Sequence, residues 1–226
     1  MSGRVAVGSL IMVPRFSACF FALTALMFAG CAAAPKTVAA AAADQGAAVP
    51  GSWRAVATAQ DRARLRGWYR AWQDALADAR ARGFALQIAQ EGVLLEPDAA
   101  LLHPELPMGN LRCRTVKLGS KSGRPGFVAF GWLPCQIGNV GGAVSMITTR
   151  GAQRMNGEVF PDNMHRQIFL GTLLLGEETM ALDYGSDRLR DMAGIIERIG
   201  DRRWRMVLPR PAFESLLDVI EIVPAE

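Results

Sequence analysis

Histidine is nearly absent from this chain, with two in 226 residues, and tyrosine is as scarce. The local signatures of the commoner catalytic and cofactor sites are also missing. There is no glycine-rich loop running into Lys-Ser or Lys-Thr, no His-Glu-x-x-His, no Gly-x-Ser-x-Gly and no Cys-x-x-Cys. These absences lower the case for a locally encoded catalytic centre, and no cofactor is expected. They do not remove an enzyme reading, because a barrel assembles its site from residues far apart in sequence. Cations are not segregated either. The net charge is +4, yet Arg4 and Arg15 fall in the first 30 residues and most other arginines alternate with Asp and Glu. Only residues 202–205 form a dense basic run, which reads as the exposed face of a strand, so nucleic acid is not an expected partner.

What the chain has in plenty is apolar material, half of its residues, enough for a substantial core. The strongest single signal is at the N-terminus. Arg15 precedes an uninterrupted apolar run over residues 16–28, followed by the small residues Ala29 and Gly30 and then Cys31. This pattern predicts a secretory signal peptide over residues 1–30 and lipid attachment at Cys31, which would hold the protein at a bacterial membrane facing the periplasm. Phe28 stands where a lipoprotein cleavage box usually has Leu. A plain signal peptide cut within residues 31–43, giving a protein secreted to the periplasm, is therefore the alternative, and a retained membrane helix is a third. The stretch before Met12 is unusual for a leader, which makes Met12 an alternative start. Residues 31–51 carry the attachment cysteine and an alanine-rich tether without a periodic apolar face.

One folded domain is expected over residues 52–226, with helices in 58–92 and strands in 110–224. A helix is predicted to start near Thr58 or Asp61. Its stripe of Leu65, Trp68, Trp72, Leu76 and Ala79 packs inward while Arg64, Arg66, Arg70, Asp74 and Asp78 face water, and it ends at Gly83. A shorter helix follows over residues 84–91, and residues 94–109 wrap the core irregularly. Eight apolar runs then recur between turn residues: 111–118, 126–137, 143–149, 157–160, 166–175, 192–199, 203–208 and 216–223. The predicted fold class is α+β, mainly β: N-terminal helices packed on an eight-stranded antiparallel meander that forms a closed or strongly curved barrel, because closure removes exposed edges. Trp204, Met206 and Leu208 alternate with Arg203, Arg205 and Val207, which turns the first set inward and the arginines outward. The run 166–175 is apolar at nearly every position and should be covered on both sides.

Cys113 and Cys135 are the cysteines left in the folded part. In an oxidising compartment such a pair favours a disulfide, with two separate buried thiols as the alternative. The segments 112–119, 157–162, 169–171, 184–187, 190–191, 203–205 and 217–224 together resemble a domain-of-unknown-function family of small alphaproteobacterial envelope lipoproteins. The resemblance spans residues 53–224 and implies export and a single domain, but no reaction.

Candidate site residues are few. His165 has Asp162 three positions before it and Arg166 beside it, an arrangement in which a carboxylate orients an imidazole as general base. The bland alternative is a surface turn. His103 reads as a loop residue. Asp183, Asp187 and Asp191 recur every fourth position, but Gly185 interrupts them; Asp187 is read as the cap of a short helix and no metal site is expected. Three functions remain open. One is a non-enzymatic module holding an apolar ligand in a lumen lined by Trp132, Trp204 and Met206. Another is an envelope interaction protein with a solid barrel. The last is a periplasmic hydrolase using His165 with nearby carboxylates.

Overall fold

The computed structural model describes residues 51–121 and 123–225. The expected leader, Cys31 and the tether up to residue 50 lie outside the described residues. Helices α1 (Trp53–Val56), α2 (Ala59–Arg66), α3 (Trp68–Ala81) and α4 (Ala85–Glu91) come first, followed by a 3-10 turn at Gly92–Leu95. Thr58 caps α2 by accepting from the Asp61 N–H at 3.1 Å. The helix expected to run on to Gly83 is broken at Gly67, so α2 packs on one part of the barrel wall and α3 on another. Trp72, Leu76 and Ala79 are buried as their spacing predicts, together with Ala71 and Ala75. Among the described residues no helix is long and apolar enough to cross a membrane.

The strands are β1 (Gly109–Ser120), β2 (Phe127–Ala129), β3 (Leu133–Val140), β4 (Ala143–Thr148), β5 (Gln153–Asn163), β6 (Arg166–Leu175), β7 (Asp191–Gly200), β8 (Arg203–Pro209) and β9 (Ser215–Pro224). From β3 to β9 each pairs antiparallel with the next, and β9 returns to β1 in a register from Leu111↔Pro224 to Ser120↔Ser215. The result is a closed eight-stranded barrel with β2 as an extra strand, as the meander predicted. The run 126–137 is not one strand. It breaks at Phe130, Gly131 and Trp132, so β3 pairs with β1 only as far as Cys113↔Leu133, and β2 takes over from Val116↔Ala129. Cys113 and Cys135 form a disulfide beside this seam, with Cα atoms 5.9 Å apart and a sequence separation of 22. A link closing a loop of that length contributes about 3 kcal/mol in the chain-entropy account.

Half of the lumen is solid. Leu111, Ile137, Met146, Phe169, Ile196, Trp204, Met206 and Ile222 interdigitate there, and Leu106 plugs the end from the irregular segment 96–108. That segment is tied down by the Leu101↔Arg198 bridge and by the His103 N–H donating to Met164 O at 3.0 Å. The Phe169 ring fits because β5 and β6 face each other through Gly157 and Gly171. A Cβ on either glycine would sit 2.7 or 2.6 Å from its Cζ.

The outer wall is covered by two apolar layers. One joins α3 to Val116, Leu118, Val207, Leu217 and Val219; the other joins Trp53, Ala57 and Leu65 to Ile168, Leu170, Ala193 and Ile195. The run 166–175 is therefore covered on both sides, its outer side chiefly by α1 and α2. One expectation is corrected. The arginines of β8 do point out of the barrel, but Arg205 is wholly buried rather than exposed. Its Nε and Nη2 donate to Glu197 at 2.9 and 2.7 Å, and the remaining N–H groups reach the carbonyls of Leu94, Glu96 and Pro97 at 3.0, 2.6 and 3.0 Å. Trp72 lies 4.5 Å from the guanidinium.

Removing the counter-charge without changing the shape tests this arrangement. Glu197→Gln is expected to cost on the order of 3–5 kcal/mol, because it strands a buried guanidinium. Urea unfolding measures the loss, and a change within experimental error would show that Arg205 is held by the carbonyls alone.

Candidate functional site

Alternation along the strands puts Cys113, Thr115 and Lys117 of β1, Met155 of β5, Leu173 of β6, Met192 of β7, Leu208 of β8 and Asp218 and Ile220 of β9 on the lumen side of the other half of the barrel. Here the side chains do not meet. They enclose a cavity of about 340 Å³, within the range of small-molecule sites. An eight-stranded barrel is only just wide enough for such a space, and large side chains such as Phe169 fill the rest of it. Around the mouth stand Phe130, Leu133, Arg150, Leu189, Arg190, Phe213 and Glu214. Phe130 and Leu189 are exposed, at 47 and 61%.

The cavity wall is mostly apolar, with Thr115 and one buried ion pair among its polar groups. Lys117 Nζ donates to Asp218 Oδ2 at 2.9 Å and lies 3.4 Å from Glu214 Oε2, while the Ser215 hydroxyl donates to Asp218 Oδ1. Burial pushes the Asp218 carboxyl above the usual carboxylate range, with the Lys117 ammonium pulling the other way.

Helix α2 organises the segment 176–190 beside the mouth. The Tyr184 hydroxyl donates to Asp61 Oδ2 at 2.5 Å and accepts from the Thr58 N–H at 3.1 Å. Arg64 Nε donates to the other Asp61 oxygen at 2.7 Å, and its Nη2 reaches Asp191 O at 2.9 Å. The Asp191 carboxylate accepts from the Gly185 N–H at 2.8 Å. Residues 187–191 make a single turn here, not the short helix read from Asp187. Arg190 holds the same segment through Glu178 at 2.7 and 2.8 Å, and these bonds draw the Glu178 carboxyl down to about 2.

The residues singled out from the sequence lie elsewhere. Trp204 and Met206 are inside the barrel but in its solid half, not on the cavity wall. Trp132 is outside the barrel, 40% exposed, with the guanidinium groups of Arg112 and Arg114 at 5.5 and 5.4 Å from its ring. His165 is exposed in the turn between β5 and β6, its N–H donating to Asn163 Oδ1 at 2.9 Å. Asp162 accepts from Trp53 Nε1 at 2.8 Å, from Asn163 Nδ2 at 2.8 Å and pairs with Arg54 at 3.1 Å, so it anchors α1. Since β5 runs from Gln153 at the mouth to Asn163, both residues sit at the plugged end. Asp183 O accepts the Ser186 N–H in a turn. Among the described residues no group of three His, Cys, Asp or Glu side chains is placed to hold a metal ion. Of the cavity residues, Lys117, Asp218 and Arg150 carried no local signal.

A family model described as a domain of unknown function, DUF4893, matches residues 53–222. No curated protein matches the chain.

The phenol of Tyr184 supplies a pH test. Burial and Asp61 push it up to about 12 from an ordinary 10.0. A folded value above the unfolded one means its contribution to stability is complete below pH 10 and is lost as pH rises through 12. The difference in unfolding free energy between the native chain and Tyr184→Phe should therefore shrink over that window. A difference that stays constant would show that Tyr184 ionises as an ordinary surface tyrosine.

Proposed function

The chain belongs to the DUF4893 family, and from that premise we propose that it is an exported envelope lipoprotein of alphaproteobacterial type whose barrel binds one apolar ligand at its open half. The observation that carries the binding reading is the cavity of about 340 Å³ with an open mouth and mostly apolar walls. Export is supported by the apolar run before Cys31 and by the Cys113–Cys135 disulfide, a bond that persists in oxidising compartments. Residues 1–30 act as the signal peptide, and a lipid on Cys31 holds the protein at the membrane facing the periplasm. The binding reading is preferred to hydrolysis because the ionisable pair on the cavity wall, Lys117 and Asp218, is mutually neutralised, and because His165 and Asp162 lie at the other end.

The test is to produce the full chain in a Gram-negative host, isolate it from the envelope and extract it with organic solvent for mass spectrometry. An apolar compound near one per chain is expected, and Leu173→Trp, which fills the cavity, should lose it. In the same cells Cys31→Ala should move the protein from the membrane fraction to the soluble periplasmic one. A native chain that retains nothing apolar and takes up no apolar naphthylamine dye would sink the binding reading. A Cys31→Ala protein that stays with the membrane would sink the anchor.

A further inference from the structure

The cavity has a polar side and an apolar side, and its mouth carries one arginine that no carboxylate pairs with among the described residues. Met155, Leu173, Met192 and Leu208 make an apolar wall, whereas Lys117 stands on the β1–β9 side. An ammonium group has three donors. Asp218 takes one at 2.9 Å, Glu214 lies at a longer 3.4 Å, and a third is left for a guest in the space that Lys117 lines. At the mouth the basic groups are mostly committed: Arg64 to Asp61, and Arg190 to Glu178. Arg150 differs. It lines the cavity and is exposed, and no carboxylate pairs with it among the described residues. Beside it, Phe130 and Leu133 remain in contact with water, 47 and 38% exposed. A free cation flanked by solvated apolar side chains at the entrance of an apolar cavity matches a molecule with an acidic head and a hydrocarbon tail. The volume lies at the small end of the range for ligand sites, about 300–1,000 Å³, which suits one chain rather than the two of a phospholipid.

We infer that the ligand is a single-chain anionic amphiphile, its tail against Met155, Leu173, Met192 and Leu208 and its acidic head held by Arg150 at the mouth and by the remaining donor of Lys117 on the wall below it. This rests on the binding reading above and adds the charge and chain number of the guest. A free fatty acid and a lysophospholipid share this chemistry.

Calorimetric titration of the full chain with four probes of one tail length, each below its micellar concentration, separates the possibilities: laurate, lauroyl lysophosphatidylglycerol, dodecanol and dodecyltrimethylammonium. One of the two anions is expected to bind about ten-fold more tightly than dodecanol, the size of one charge-assisted contact, with the cation weakest. Which anion leads identifies the source. Added salt should narrow the preference. Arg150→Glu, a change at an exposed position that the barrel does not need for folding, should bring the ratio of anion to dodecanol affinity close to one. Equal binding of all four probes, or a preference for dodecanol or the cation, would overturn the inference while leaving the cavity reading standing. Binding of none would overturn both.

Discussion

A guanidinium removed from water must have every N–H satisfied and its charge opposed, and Arg205 meets both conditions through groups from different parts of the chain. Glu197 comes from the neighbouring strand β7, and the carbonyls come from the 3-10 turn and its exit at Leu94, Glu96 and Pro97. Leu94 lies in the last turn of that short helical segment and Glu96 and Pro97 follow it, so none of the three carbonyls has an intrahelical partner. The barrel supplies their donor. Glu197 in turn takes Arg166 of β6, whose guanidinium lies 4.3 Å from Trp68. One buried ion pair thus fixes where the helical layer ends on the barrel wall. It also fixes where the irregular segment sets out toward the plugged end, so the position of Leu106 in the lumen follows from it.

The lumen is divided by side-chain size. Gly157, Gly171 and Gly194 lie on its inner face, and each gives up its side chain to a larger neighbour, Phe169 in the first two cases and Met206 in the third. Those two large side chains consume the space in their half. Toward the mouth the inward positions are Thr115, Lys117, Leu173, Met192 and Asp218. None carries a ring across the lumen, and two are held back against the wall by their own salt bridge. The open half is therefore what remains when the aromatic filler is confined to one end. The disulfide lies at the boundary, with Cys113 both in the packed cluster and on the cavity wall.

Much of this architecture was legible because it rests on local pattern. The strand runs, the barrel and the α3 stripe follow from periodicity and turn residues, and the cysteine pairing from two cysteines being left in the folded part of a chain read as exported. The errors have physical causes. Arg205 looked solvent-facing because alternation distinguishes the two faces of a sheet but does not say that a second layer covers the outer one. Asp61 read as a possible start of the first helix and is fully buried, since Tyr184 and Arg64 reach it from long range and from one helical turn on. Trp132 was expected in the lumen with Trp204 and Met206, although counting in twos from Cys135, a lumen residue, puts position 132 on the outer face. The cavity was illegible for a different reason. Its wall takes one to three residues from each of several strands, and in β9 both faces are so apolar that alternation does not choose between Asp218 and Leu217 as the inward residue.

The two ends of the barrel are built differently. Trp53 and Arg54 hold Asp162 at the plugged end, so α1 begins on the side of the barrel away from the cavity mouth. The mouth is bordered instead by the turn at Arg150 and by the segments 176–190 and 210–214, short connections whose backbone is fixed by named bonds: Glu178 with Arg190, Tyr184 with Asp61, and Arg210 N with Leu216 O. Fixed loops around the mouth keep their apolar side chains from collapsing into the cavity, so Leu189 stays 61% exposed at its rim, with a 47% exposed Phe130 from the connection between β2 and β3 also on the rim. That exposure costs free energy, and on the reading proposed above a guest whose tail enters the cavity and whose body covers the rim would recover it.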